Sequence, residues 1–128
     1  VLATLGASIV YFVLGGLFFT LAPMKAEFRR YPNVYRTQED MKAVWPVGII
    51  GILISMAALA VLYALLYKGG PGAVEGARFG VLVGVFAVGS FVLHNYVNLN
   101  IGLRLTLAQA AAYFAQWIVV GIAIGLVY

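Results

Sequence analysis

Apolar positions along the chain fall into four long runs separated by short polar breaks. No Lys, Arg, Asp or Glu occurs in 3–22, 46–67, 79–98 or 105–127. Each run reaches the roughly 20 residues that a helix needs to cross a hydrocarbon core about 30 Å thick. Lipid offers no hydrogen bonds to an open backbone, so runs of this kind predict helices. The expectation is an all-α membrane protein of one domain, residues 1–128, with transmembrane helices at about 3–22, 46–67, 77–98 and 105–127. The four helices are expected to form an antiparallel bundle, with a short interfacial segment between the first and the second.

The first run has no basic residue before it and exceeds the 7–15 apolar residues usual in a signal peptide. It reads as a retained helix. Composition agrees with membrane residence: of 128 residues 64% are hydrophobic and 9% charged, against about a quarter charged in soluble domains. The absence of cysteine excludes disulfides, thiolate metal sites and cysteine nucleophiles.

The net charge of +4 is a topology signal here before it is a nucleic-acid signal, and no nucleic-acid partner is expected. The first loop carries Lys25, Arg29, Arg30, Arg36 and Lys42, and the third carries Arg104; the opposite side has Lys68 and Arg78. This bias places loops one and three in the cytoplasm and both termini outside, in a bacterial cytoplasmic membrane. Lys25, Arg29, Arg30 and Arg36 are assigned to orientation and to lipid headgroups, where each charge is worth about 1 kcal/mol. Within the same loop Thr37 and Asp40 have the spacing of a capping box, so a helix is expected to start near Gln38. Pro46 then either kinks that helix or opens the membrane span.

Two patterns suggest contacts between helices. Gly76, Gly80 and Gly84 recur every four residues in the third helix, and Gly121 and Gly125 in the fourth, which puts small residues on one face where two backbones can approach closely. Polar residues form two stripes. Ser90, His94 and Asn98, with Asn95 beside them, lie along the third helix; Gln109, Tyr113 and Gln116 lie along the fourth. A short connection makes these helices antiparallel neighbours. The two stripes are expected to face each other as an interhelical polar cluster, since an amide turned to lipid loses its partners.

His94, the single histidine, carries a structural reading and functional ones. It either hydrogen-bonds across the hairpin, or its imidazole ligates a haem, a chlorophyll-type pigment or a metal ion or has a proton or substrate role. The hydrogen bond is the preferred reading, so no cofactor is expected, with haem or pigment at His94 the alternative. An enzyme is not expected. The four acids, Glu27, Glu39, Asp40 and Glu75, lie in loops or at helix ends, and Glu39 and Asp40 suit a helix N-terminus better than acid–base chemistry. No phosphate loop or His-Glu-x-x-His motif is present.

The segments YFVLGGLFF (11–19), QEDMK (38–42) and LRLTLAQAAAYFAQWIVVGIAIG (103–125) resemble a bacterial domain-of-unknown-function family of small four-helix membrane proteins. Phe18 and Phe19 stand where Trp-Tyr is expected in such relatives. The resemblance implies the same four-helix architecture and brings no site residues with it. From the residues themselves the expected role is a small, non-catalytic accessory or scaffold subunit of a larger membrane complex, of a photosynthetic or respiratory kind, whose partners are the bilayer and other membrane subunits. The alternatives are a small oligomeric transporter or channel and a pigment- or haem-binding protein acting through His94.

Overall fold

The computed structural model describes residues 1–128, apart from the side chains of Ala22 and Gln38. Its elements are α1 (Leu2–Thr20), α2 (Ala22–Arg29), α3 (Gln38–Leu66), α4 (Gly72–Ala87), a π-helical segment (Val88–Val92), α5 (Leu93–Asn98) and α6 (Leu103–Val127). No strand occurs among the described residues. Four stretches are long and apolar enough to cross a membrane: Leu2–Thr20, Glu39–Leu66, Gly72–Asn98 and Leu103–Val127.

Local chemistry sets the element ends. Thr37 accepts a hydrogen bond from the Asp40 backbone N–H at 3.2 Å, which satisfies one of the donors left open at a helix start. Helix α3 then runs unbroken through Pro46, so the proline neither ends a surface helix nor opens a new one. Gly69 and Gly70 adopt φ of 99° and 114°, a region that costs other residues and suits glycine. They make a tight turn, closed by the Tyr67 hydroxyl donating to the Gly70 carbonyl at 2.7 Å. Helix α4 begins straight after it. Arg78 therefore lies inside a helix, paired with Glu75 at 2.9 Å, and not on a loop.

Helices α4 and α6 form the most intimate contact. Gly72 faces Gly125, Gly76 faces Gly121, Gly80 faces Trp117 and Ile118, and Gly84 faces Phe114, so residue numbers rise along one helix as they fall along the other. A Cβ on Gly80 would stand 2.5 Å from the Trp117 carbonyl oxygen. That is closer than atoms pack, so the seam depends on glycine.

Helix α1 packs on α6 and α3, whereas α3 barely touches α6. Ala3, Ala7, Met56, Ala60, Tyr63, Phe79, Val120 and Ile124 make the main core. A second cluster, Met24, Ile101 and Leu105 with Phe28, Tyr31 and Tyr35 against them, pins the first loop onto the start of α6. Tyr31 Oη accepts from the Gly102 N–H at 2.8 Å, and Arg104 Nε meets Glu27 Oε1 at 3.0 Å. Loops one and three thus share one end of the molecule.

Candidate functional site

The expected polar cluster between the third and fourth helices does not form. Ser90, His94, Asn95 and Asn98 are all exposed, while Gln109 and Gln116 are buried. The reason is the π-helical segment. In an uninterrupted α-helix each residue turns about 100°, so the face carrying Gly80, Gly84 and Ala87 would return at 91, 94 and 98. Leu93 N–H instead donates to the Val88 carbonyl, an i to i+5 bond that accommodates one extra residue. Buried positions accordingly step from Ala87 to Val92, and Phe91, His94 and Asn98 rotate away from α6.

Polar residues of α6 find other partners. Gln116, fully buried, donates from Nε2 to the Tyr11 carbonyl of α1 at 2.7 Å. Gly15 leaves room for that amide, because a Cβ there would lie 3.1 Å from Nε2. Tyr113 packs its ring against Phe19 with centroids 4.8 Å apart. Gln109, 7% exposed, neighbours the Tyr35 hydroxyl of loop one. Burial pushes the Tyr35 phenol above its ordinary pKa, against the pull of the Gln109 amide and with a smaller push from Tyr31. The α6 stripe therefore serves α1 and loop one.

Ser90, His94 and Asn98 are left as an outward polar stripe on the flank of α4–α5. It extends about 12 Å inward from the helix end, taking 1.5 Å per residue. The helical hydroxyls of Ser8, Thr20, Ser55 and Thr106 each bond back to the carbonyl four residues earlier. Ser90 makes no such bond among the described residues. His94 lines neither the cleft between α3 and the α4–α5 flank nor the one beside α2 and the start of α6.

The loose fit of α3 against the rest opens a cleft of about 490 Å³ beside the π-helical segment. Ser55 from α3, Phe86 and Phe91 from the facing flank, Asn95 from α5, and Gln109 and Tyr113 from α6 line it. Of the four polar residues singled out in the third helix, Asn95 alone reaches this space. No charged residue lines it.

Of the basic residues assigned to orientation, Lys25, Arg29, Arg30 and Arg36 are exposed, at the end shared by loops one and three. Arg30 also reaches Glu27 at 3.5 Å. The sequence places Tyr31, with Tyr35 and Trp45, in an aromatic interfacial belt and gives no sign of its bond to Gly102; it does not single out the Glu27–Arg104 pair, Gly72 or Ser55. Gly72 continues the four-residue glycine spacing one step earlier, a signal present in the sequence. Ser55 is an isolated polar residue with no period to mark it. No protein-family model, no curated protein and no solved structure matches the chain.

Proposed function

We propose that the chain is an integral membrane protein of four antiparallel spans that serves as a non-catalytic accessory subunit of a larger membrane assembly. The single observation that carries this reading is the outward stripe of Ser90, His94 and Asn98. Polar groups facing hydrocarbon are costly, so a stripe reaching two turns into a span calls for a protein neighbour that hydrogen-bonds to it. The glycine seam between α4 and α6 supports a rigid platform for that contact. The charge bias supports loops one and three in the cytoplasm of a bacterium and termini outside. The resemblance to small four-helix bacterial membrane proteins belongs with the same reading.

A second reading, a homo-oligomeric transporter or channel, draws on the same stripe, which would then face copies of itself around a shared axis. Pigment ligation by His94 has weaker support, because the imidazole lies on the outer surface and a pigment there would need a partner to enclose it.

The lack of cysteine makes the test direct. Ser90→Cys carries a unique thiol on the stripe, and Val13→Cys one on the exposed flank of α1. In membranes of the native host, a thiol-reactive photo-crosslinker on Ser90→Cys is expected to yield one discrete heteromeric product, and on Val13→Cys none. Crosslinking of Ser90→Cys to lipid alone would refute the subunit reading, and a product of twice the protein's own mass would favour the oligomer.

A further inference from the structure

We propose that the cleft between α3 and the α4–α5 flank binds a neutral lipophile with a flat, carbonyl-bearing ring on a hydrocarbon tail, a molecule of the quinone class. Its volume, about 490 Å³, lies within the range of small-molecule sites. With no charged residue in the lining, the site suits neither an anionic nor a cationic headgroup.

The arrangement of the lining argues for head and tail. Asn95 and Gln109 stand near the end where loops one and three meet, and their amides can donate to a ring carbonyl. Farther in, Leu59, Val83 and Phe86 supply an apolar wall. Phe91 and Tyr113, one turn from Asn95 and Gln109 along their helices, bring aromatic rings to the level of the head, and Tyr11 and Trp117, whose ring centroids are 5.3 Å apart, continue the wall beside the tail. An acyl chain would fill the volume and leave the Asn95 amide facing hydrocarbon without a partner, which is costly. The exposed lining residues Ser55 and Phe86 lie well inside their helices, so the mouth opens sideways at mid-depth. In a bilayer a ligand enters from the hydrocarbon, which matches an apolar tail.

The inference rests on membrane embedding and not on the subunit reading. The test uses the full chain with Trp45→Phe, which leaves Trp117 as the only tryptophan, in phosphatidylcholine vesicles. Flotation with the vesicles is checked first, because failure to float overturns the embedding and the inference together. Decylubiquinone is then titrated against Trp117 fluorescence. The expected result is saturable quenching, weakened about tenfold by Asn95→Leu, and unchanged by Val97→Leu, which is exposed and outside the cleft. Circular dichroism verifies that the variants fold, and Ser55→Val, expected to weaken binding by crowding the mouth, replaces Asn95→Leu if that variant does not fold. Quenching that rises without saturation, Asn95→Leu (or Ser55→Val in its place) binding like the parent, or displacement by methyl decanoate at equal concentration overturns the inference while leaving the embedding intact.

Discussion

Gln116 reaches across from α6 to donate a hydrogen bond to the Tyr11 carbonyl of α1 at 2.7 Å. Its other amide atom, Oε1, is buried without a partner among the described residues. One end of the side chain therefore stabilises the α1–α6 contact and the other works against it. Gln116→Leu keeps the volume and removes both effects, and the expected change in stability is within about 1 kcal/mol. Gln116→Ala leaves a cavity and is expected to cost about 2 kcal/mol or more. Reversible unfolding in mixed micelles distinguishes the two.

Glycine substitutions separate the seam from the surface. Gly80→Ala must push Trp117 and Ile118 backbone away, and overpacking of this kind costs about 1–3 kcal/mol. Gly89→Ala meets nothing within 4 Å, so it is expected to be neutral or stabilising by up to about 1 kcal/mol through helix propensity. The same unfolding assay reads both. Equal tolerance at the two positions would remove the packing account of α4 and α6.

At the loop end, Tyr31→Phe deletes the acceptor for the Gly102 N–H. Faster hydrogen exchange at the Gly102 amide is expected, with a loss of about 1 kcal/mol. Glu27→Gln is expected to change stability by at most about 1 kcal/mol, since Arg104 is 80% exposed and surface pairs are weak. If Glu27→Gln proved the more damaging, the roles assigned to the two contacts would be reversed.

Tyr35 gives a pH dependence with a definite sign. Its phenol is raised above the ordinary 10.0, so the folded state holds the proton more tightly than the unfolded chain. The associated stability is fully present below about pH 10 and is lost as pH rises through the higher folded value. Tyr35→Phe is expected to remove one tyrosine from the late-titrating part of the phenolate absorbance curve, and that variant should flatten the decline in stability at alkaline pH.

These expectations show which parts of the molecule the sequence made legible. Uncharged runs located the four long helices because lipid-length apolarity is a property of the run itself. Thr37 and Asp40 marked the start of α3 because capping is local, and the spacing of Gly76, Gly80 and Gly84 marked a face that does meet Gly121. His94 and Ser90 were misplaced because a single extra residue at Val88–Val92 rotates everything after it, and nothing in VGSFV announces that. Gln109 and Gln116 do turn inward, yet towards α1 and Tyr35, partners distant in sequence. The cleft depends on how loosely α3 sits, a tertiary property with no local signature.

The central claim is that the outward stripe of Ser90, His94 and Asn98 meets a different protein. The direct measurement is native mass spectrometry of the protein purified in mild detergent from its own host, beside a variant carrying Ser90→Leu, His94→Leu and Asn98→Leu. The account predicts a stoichiometric complex with at least one other membrane chain, lost in the variant while the four-helix chain itself remains folded. A parent protein that flies alone, or only with copies of itself, would contradict it.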